Sequence, residues 1–240
     1  ETDYQLGATD YAHFAAEYAF FGRSVWQQTL NLTEREKTEL IRLLQENYRP
    51  ENRVYRYNFF YDNCATRPRD KIEESIAGKV IYPAKPQDGS RSFRNIVHQY
   101  CKGHPWARFG IDLCIGSEAD RPITQRQMMF APFYLMDAFA GAQIENDSIQ
   151  RPLAEAARLI VDATPETDES GWIFTPLQCA LLLFILTVGA TIYGIRRRTG
   201  LWGVDLFLFS AAGIVGCVLA FLALFSEHPA VSSNFLLLVF

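Results

Sequence analysis

The sequence predicts an α+β domain at the N-terminal side of the chain and transmembrane helices at its C-terminal side. Residues 1–161 mix helical and strand periodicities, which is typical of an α+β domain. Residues 172–240 contain two apolar runs long enough to cross a bilayer, separated by a short turn of three arginines. We therefore expect an extracytoplasmic globular domain followed by membrane spans.

Two helices are predicted in the first fifty residues from their N-terminal caps. Thr9 and Asp10 precede a helix that runs to about Phe21. Thr33 and Glu36 have the spacing of a capping box, and the helix that they start ends before Pro50. This second helix is expected to bury the apolar side chains that recur on one of its faces, namely Leu40, Ile41, Leu44 and Tyr48.

A strand and a helix are predicted on either side of a cysteine. Residues 23–31 are expected to be extended, and aromatic side chains alternate through residues 54–61 with the period of two that is typical of a strand. Asp62, Asn63 and Cys64 end this strand, and residues 66–76 have helical composition. The cysteine therefore lies where a strand is predicted to turn into a helix.

The remainder of the domain is predicted to be mainly helical. Residues 93–100 form a short helix, whereas residues 103–116 read as irregular and aromatic. A helix from residue 124 to residue 141 is interrupted at Pro132. An amphipathic pattern at residues 153–161 predicts a last helix before the membrane region.

The membrane region is predicted to begin with two spans. An α-helix rises ~1.5 Å per residue, so about 20 residues cross the hydrocarbon core. A pair of buried core helices is the alternative, but runs of this length around a three-arginine turn favour the membrane. The chain is therefore predicted to consist of a domain at residues 1–161, a linker at 162–171 and a membrane region at 172–240. The membrane region is predicted to contain spans at about 172–195 and 201–225 and a third, truncated span that starts at about 235.

The arginine turn at residues 196–198 predicts the orientation of the chain. Short loops that are rich in arginine stay in the cytoplasm, so residues 1–171 are expected on the other side of the membrane. Export requires a signal peptide, and none precedes Glu1. We therefore expect the given sequence to be incomplete at both ends.

Alkaline-phosphatase fusions test this topology, because that enzyme needs the oxidising side of the membrane to form its disulfides. A fusion after Asp168 is expected to be active, and a fusion after Arg198 is expected to be inactive. Activities in the opposite order would overturn the predicted orientation.

Composition narrows the possible partners. Residues 1–171 carry 20 Lys and Arg against 25 Asp and Glu and show no basic stripe, which argues against nucleic acid as a partner. The histidines at positions 13, 98, 104 and 228 do not pair at the spacing of metal ligands. We therefore expect neither a metal nor another cofactor.

Cys64 is the strongest candidate for chemistry in the sequence. The N–H groups and dipole of a helix N-terminus favour a thiolate, and the same N–H groups can hold an oxyanion. Arg67 and Arg69 add positive charge, either as the salt-bridged start of a helix or as contacts for phospholipid headgroups. A nucleophilic Cys64 and a buried structural cysteine both stay open at this point.

The other cysteines are expected to have structural roles. Cys101 and Cys114 lie in the exported region and are separated by a loop short enough to close, so we expect a disulfide between them. Cys179 and Cys217 lie within the predicted spans and are expected to pack there.

Several segments of the chain resemble the Lnb N-terminal periplasmic-domain family. The resemblance covers most of residues 1–160, and the following helices resemble the membrane region of that family. It rests chiefly on Tyr-Asn-Phe-Phe-Tyr-Asp-Asn-Cys-Ala-Thr-Arg at residues 57–67, and further on residues 3–7, 28–32, 110–113 and 117–122.

The resemblance implies a lipoprotein N-acyltransferase of the Bacteroidota type, anchored in the bacterial inner membrane with its catalytic domain in the periplasm. It implies a fold related to papain-like and NlpC/P60 enzymes, in which Cys64 is the nucleophile and Asn63 helps to shape the site. The acyl donor would be a phospholipid and the acceptor a diacylated lipoprotein. The family's histidine belongs to a Phe-Gly-His segment expected before Glu1, so the chain as given is expected to be inactive.

Two other functions are compatible with the same residues. A periplasmic papain-like cysteine peptidase or amidase would use the same nucleophile, although it needs no region of several spans. A non-enzymatic, membrane-tethered binding domain would be favoured if Cys64 were buried and unreactive. Dependence on lipid separates the first alternative from acyl transfer, and labelling of the thiol separates the second from both enzymes.

Overall fold

The computed structural model describes residues 3–83, 91–146, 149–163, 173–226, 228–231 and 234. Up to residue 100, the elements are β1 (Asp3–Gln5), α1 (Tyr11–Phe20), β2 (Val25–Gln27), α2 (Glu34–Tyr48), β3 (Val54–Arg56), α3 (Thr66–Ser75), β4 (Lys79–Ile81) and α4 (Phe93–Tyr100). They continue with α5 (Pro105–Cys114), α6 (Gln125–Met128), α7 (Pro132–Gly141), β5 (Gln143–Asn146), β6 (Ile149–Pro152), β7 (Arg158–Val161), α8 (Pro176–Arg197) and α9 (Trp202–Phe225). The predicted mixture of helices and strands is confirmed.

The chain divides into two compact units. The first unit comprises Glu1–Ser90 and Ile123–Asp168, and the second comprises Arg91–Pro122 and Glu169–Phe240. This division differs from the predicted domains, because Arg91–Pro122 belongs with the C-terminal helices. Of the predicted linker, the structure describes residues 162–163, and the predicted third span lies outside the described residues.

Small antiparallel sheets support the first unit. β1 pairs with β3, β2 pairs with β7, and β4, β5 and β6 form a three-stranded meander. Gly78, just before β4, has φ of +143°, and a Cβ atom there would lie 2.5 Å from the Glu145 carbonyl oxygen. Only glycine fits this close approach of two backbones. The meander packs on a core cluster of Ile76, Phe139, Ala142, Ile144, Leu153 and Ala154.

Glu36 connects the start of α2 to the rest of the first unit. Its carboxylate accepts hydrogen bonds from the Thr33 N–H at 2.8 Å and from the Ala77 N–H at 3.1 Å, and it also pairs with Arg151. The side chain is 2 % exposed. Burial alone would raise the pKa of Glu36, but the hydrogen bonds from Thr33, Ala77 and Arg151 outweigh burial and hold the pKa below its usual value.

Replacing Glu36 with Ala is expected to lower the free energy of unfolding by about 3–5 kcal/mol, because the change leaves Arg151 without its buried partner. Because the folded-state pKa is lowered, this contribution is present at neutral pH and is lost as the pH falls below the ordinary value of 4.5. Urea denaturation of the detergent-solubilised protein measures both effects. The control is Glu39→Ala, which removes an exposed ion pair with Arg42 on the same helix and should cost much less. Equal losses in the two variants would contradict this role of Glu36.

Three predicted elements are wrong, each for a tertiary or turn-specific reason. The strand ends at Arg56 rather than at residue 61, because the Asn58 side chain accepts the N–H groups of residues 60 and 61 and folds the chain into a turn. Residues 105–114 form helix α5, which starts with Pro105 at a position that suits proline. Residues 158–161 form strand β7 instead of a helix, because they pair with β2.

The face of α2 that is buried also differs from the prediction. Glu36 and Leu43 are buried, whereas Ile41 and Leu44 are 55 % and 48 % exposed. Glu36 must face the interior to reach Ala77. Leu43 lies on the same side of the helix and is therefore buried as well, whereas Ile41 and Leu44 face outwards.

The second unit joins a helical hairpin to two long apolar helices. Arg94 on α4 donates to Asp112 of α5 at 2.8 Å and to Asp120 at 2.7 Å. Asp112 also contacts His98 Nε2 at 2.7 Å. Burial raises the pKa of Asp112, but the hydrogen bonds from His98 and Arg94 outweigh burial, so the pKa lies below its usual value. The hairpin of α4 and α5 is thus held together by charge-assisted hydrogen bonds.

The predicted disulfide between Cys101 and Cys114 is wrong, since both are free thiols. Cys101 follows α4 directly, and Cys114 is the last residue of α5. A helix of ten residues is about 15 Å long at ~1.5 Å per residue, whereas the Cα atoms of a disulfide lie within about 7 Å of each other. Helix α5 keeps the two thiols at opposite ends of the hairpin.

α8 and α9 have the length and composition of membrane spans. Their mean hydropathies are 1.9 and 2.5, and 6 % of the most apolar stretch of each is buried within the structure. Core helices of a soluble protein would be mostly buried, so this exposure favours the membrane. Between the helices, Arg198 adopts the left-handed conformation, which ends α8 and reverses the chain.

Candidate functional site

Asn63 organises the segment that carries the candidate nucleophile. Its side-chain N–H₂ group donates to the carbonyl oxygens of Phe59 at 2.8 Å and Phe130 at 2.9 Å. Its side-chain oxygen accepts the N–H groups of Ala65 at 2.8 Å and Thr66 at 2.9 Å. An asparagine amide has two donor hydrogens and two acceptor lone pairs, so all of its capacity is used. Asn63 is therefore a positioning residue that fixes the start of α3.

Cys64 is the exposed residue in this otherwise buried segment. Its neighbours Asn63, Ala65 and Thr66 are 3 %, 4 % and 2 % exposed, respectively, whereas the Cys64 side chain is open to solvent. The interpretation of Cys64 as a buried structural cysteine is therefore wrong. The arrangement presents an accessible thiol on a buried, hydrogen-bonded base, and access is one requirement of a reactive cysteine.

The N–H groups at the start of α3 are used within the protein. Those of Ala65 and Thr66 bond the Asn63 side chain, that of Arg67 bonds the Asn63 carbonyl at 3.1 Å, and Pro68 has none. The expectation that these groups are free to hold an oxyanion is therefore wrong. Among the described residues, none accepts a hydrogen bond from the backbone N–H of Cys64, which belongs to the same residue as the thiol.

Arg67 and Arg69 are both held by other residues of the first unit. Arg67 forms two hydrogen bonds with Asp62, at 2.7 Å and 2.8 Å, and its guanidinium lies 3.6 Å from the centre of the Tyr55 ring. Arg69 is buried, pairs with Asp70 at 2.8 Å and donates to the Arg126 carbonyl at 3.1 Å. The structure thus assigns both arginines to ion pairs at the start of the helix.

A group of tyrosines beside Cys64 was not singled out from the sequence. Tyr57 stacks on Tyr4 with ring centres 4.2 Å apart, and Tyr55 lies under Arg67. Burial, with a smaller effect from neighbouring Cys64, raises the pKa of Tyr57 to about 12. Its hydroxyl therefore stays protonated at neutral pH. The alternation of aromatic residues before Cys64 was the signal that could have identified it.

Three of the described histidines contact residues other than Cys64. His13 pairs with Asp10 at 2.5 Å on the surface, and His98 pairs with Asp112. His228 accepts the Ala230 N–H, and burial lowers the pKa of its ring. Among the described residues, no group of three or more His, Cys, Asp or Glu side chains could hold a metal ion.

Comparison with protein families identifies both parts of the chain. Residues 1–95 match the model of the Lnb N-terminal periplasmic domain, and residues 167–240 match that of the Lnb transmembrane domain. The first match contains Cys64 and the tyrosines beside it, and the second contains α8 and α9. Comparisons with curated proteins and with solved structures gave no match. The chain is thus a membrane-associated protein with a periplasmic domain, and it belongs to the Lnb family.

Proposed function

We propose that this protein is a lipoprotein N-acyltransferase that transfers an acyl chain from a phospholipid to the N-terminal amine of a diacylated lipoprotein. The observation that carries the proposal is the exposed Cys64 thiol on a buried, hydrogen-bonded base inside the periplasmic domain of a family with a transmembrane domain. The proposed setting is the bacterial inner membrane, which the chain crosses several times. The proposed domain fold is papain-like.

The first half of the reaction forms a thioester. The Cys64 thiolate attacks the ester carbonyl carbon of the phospholipid, a C–S bond forms, and the ester C–O bond breaks. The leaving alkoxide takes a proton from a general acid and departs as a lysophospholipid. During attack, the donor that we propose for the oxyanion is the backbone N–H of Cys64.

The second half transfers the chain to the lipoprotein. The neutral N-terminal amine attacks the thioester carbonyl, a C–N bond forms, and the C–S bond breaks to restore the thiolate. The proton lost by the amine goes to a general base, for which the family resemblance implies a histidine. Dividing one acyl transfer into two covalent steps lowers each barrier, and confinement of both substrates to the bilayer explains why the catalytic domain is tethered there.

Reconstitution into phospholipid vesicles tests the proposal against its alternatives. Full-length protein should convert a diacylated lipoprotein into the triacylated form and release an equal amount of lysophospholipid. Peptide hydrolysis that needs no lipid would favour the peptidase or amidase. Failure of Cys64 to react with a thiol-labelling reagent, together with no turnover of either substrate, would favour the binding domain.

A further inference from the structure

A polar cavity lies in the hairpin of α4 and α5, within the second unit. A cavity of ≈ 370 Å³ opens between the two helices and their connecting turn. No acidic residue lines the cavity. Its polar and basic lining side chains are those of Asn95, His98, Gln99, Lys102 and Arg108. The cavity therefore combines positive charge with hydrogen-bond donors.

The two cationic side chains at this cavity are available to a ligand. In the described part of the chain, Lys102 makes no ion pair, and Arg108 has one long contact of 3.8 Å to Asp112. That carboxylate is already bound by Arg94 at 2.8 Å and by His98 at 2.7 Å. Asp112 therefore does little to neutralise Arg108, which is 54 % exposed.

The cavity lies at the level of the membrane surface, because α5 packs against both spans. The Trp106 side chain donates to the Phe174 carbonyl at 2.7 Å, just before α8 begins. At the other end of the hairpin, the Gly116 N–H bonds the Ala230 carbonyl at 2.8 Å, shortly after α9 ends. Helix α5 thus lies across the ends of the spans that are opposite the arginine turn, where tryptophan favours the interface.

We propose that this cavity binds the phosphodiester headgroup of a membrane phospholipid, with Lys102 and Arg108 as the phosphate contacts. Phospholipid phosphates occupy this depth of the bilayer, and Arg and Lys are the side chains that bind phosphate. The inference deepens the proposed function, on which it rests for the role of this lipid as acyl donor. It adds a binding site for the donor on residues distinct from Cys64.

Binding of phosphatidylethanolamine carrying a fluorescent acyl chain, measured by anisotropy with purified protein in detergent, tests the site. The double variant Lys102→Ala/Arg108→Ala should bind roughly 30-fold more weakly, because each lost hydrogen bond to the phosphate contributes on the order of a fivefold effect. The matched control is Lys37→Ala/Arg42→Ala, which removes two exposed cations from α2 and should bind like the unaltered protein. Unchanged affinity in the Lys102→Ala/Arg108→Ala protein would overturn the proposal.

Two further measurements identify the ligand and distinguish lipid binding at this cavity from acyl transfer at Cys64. Glycerophosphoethanolamine, which is the headgroup without its acyl chains, should displace the probe at high concentration, and inorganic phosphate should displace it less well. Displacement by phosphate at the concentrations at which the lipid binds would overturn the lipid assignment. The Cys64→Ala variant should bind the probe normally. If acyl transfer were absent while lipid binding depended on Lys102 and Arg108, the proposed function would fail and this site would stand.

Discussion

Replacing Cys64 with Ala is expected to abolish acyl transfer while leaving the amount of folded, membrane-inserted protein unchanged. The thiol is the group that would carry the acyl chain, so its removal leaves no covalent intermediate. Because Cys64 is exposed, its side chain contributes little packing that an alanine would lose. Conversion of a diacylated lipoprotein in phospholipid vesicles measures the activity, and protease protection of the inserted protein measures folding.

Two cysteine variants sharpen this prediction. Cys64→Ser keeps the shape of the side chain, but its hydroxyl ionises far less readily than a thiol, so the variant should be almost as inactive as Cys64→Ala. Cys217→Ala removes another exposed cysteine, on α9, and should retain full activity. Turnover by Cys64→Ala, or loss of turnover in Cys217→Ala alone, would be incompatible with the mechanism.

Replacing Asn63 with Ala is expected to lower the free energy of unfolding by about 2–5 kcal/mol and to reduce acyl transfer more than the stability loss explains. The change removes the hydrogen bond to the buried carbonyl of Phe130 and takes away the acceptor of the N–H groups of residues 65 and 66 at the start of α3. Cys64 follows Asn63 directly, so the thiol would lose its fixed position. Urea denaturation and the vesicle assay, run at a temperature where the variant is folded, separate the two effects.

The matched control for this change is Asn52→Ala. Asn52 is exposed, and its side chain donates to the Glu46 carbonyl at 3.0 Å, so water can replace the lost bond. We expect a loss well below that of Asn63→Ala and normal acyl transfer. If Asn63→Ala were as stable and as active as Asn52→Ala, Asn63 would not position the nucleophile.

Local signals in the sequence predicted the elements nearest to the site. Asp10 caps α1, and Thr33 and Glu36 form the predicted capping box. Helix α3 runs from Thr66 to Ser75, close to the predicted range, because proline falls in its first turn, where it is tolerated. Each of these features depends on residues a few positions apart, and such patterns are readable from one sequence.

Features that depend on distant residues could not be predicted in the same way. Strand β7 forms because Leu159 lies opposite Trp26, far away in the sequence. The amide of Asn63 reaches the Phe130 carbonyl across 67 positions, so its positioning role needs the folded structure. The sequence shows that two arginines follow Cys64, but their ion pairs with Asp62 and Asp70 depend on side-chain geometry that only the folded structure provides.

Trapping of the acyl-enzyme is the most direct test of the central claim that Cys64 carries the acyl chain. The membrane-embedded, full-length protein is incubated with phospholipid without a lipoprotein acceptor, digested and examined by mass spectrometry. The account predicts an added acyl mass on the peptide containing Cys64, lost on treatment with hydroxylamine and absent from Cys64→Ala. An acyl adduct confined to another cysteine, or active enzyme that never forms an adduct at Cys64, would contradict it.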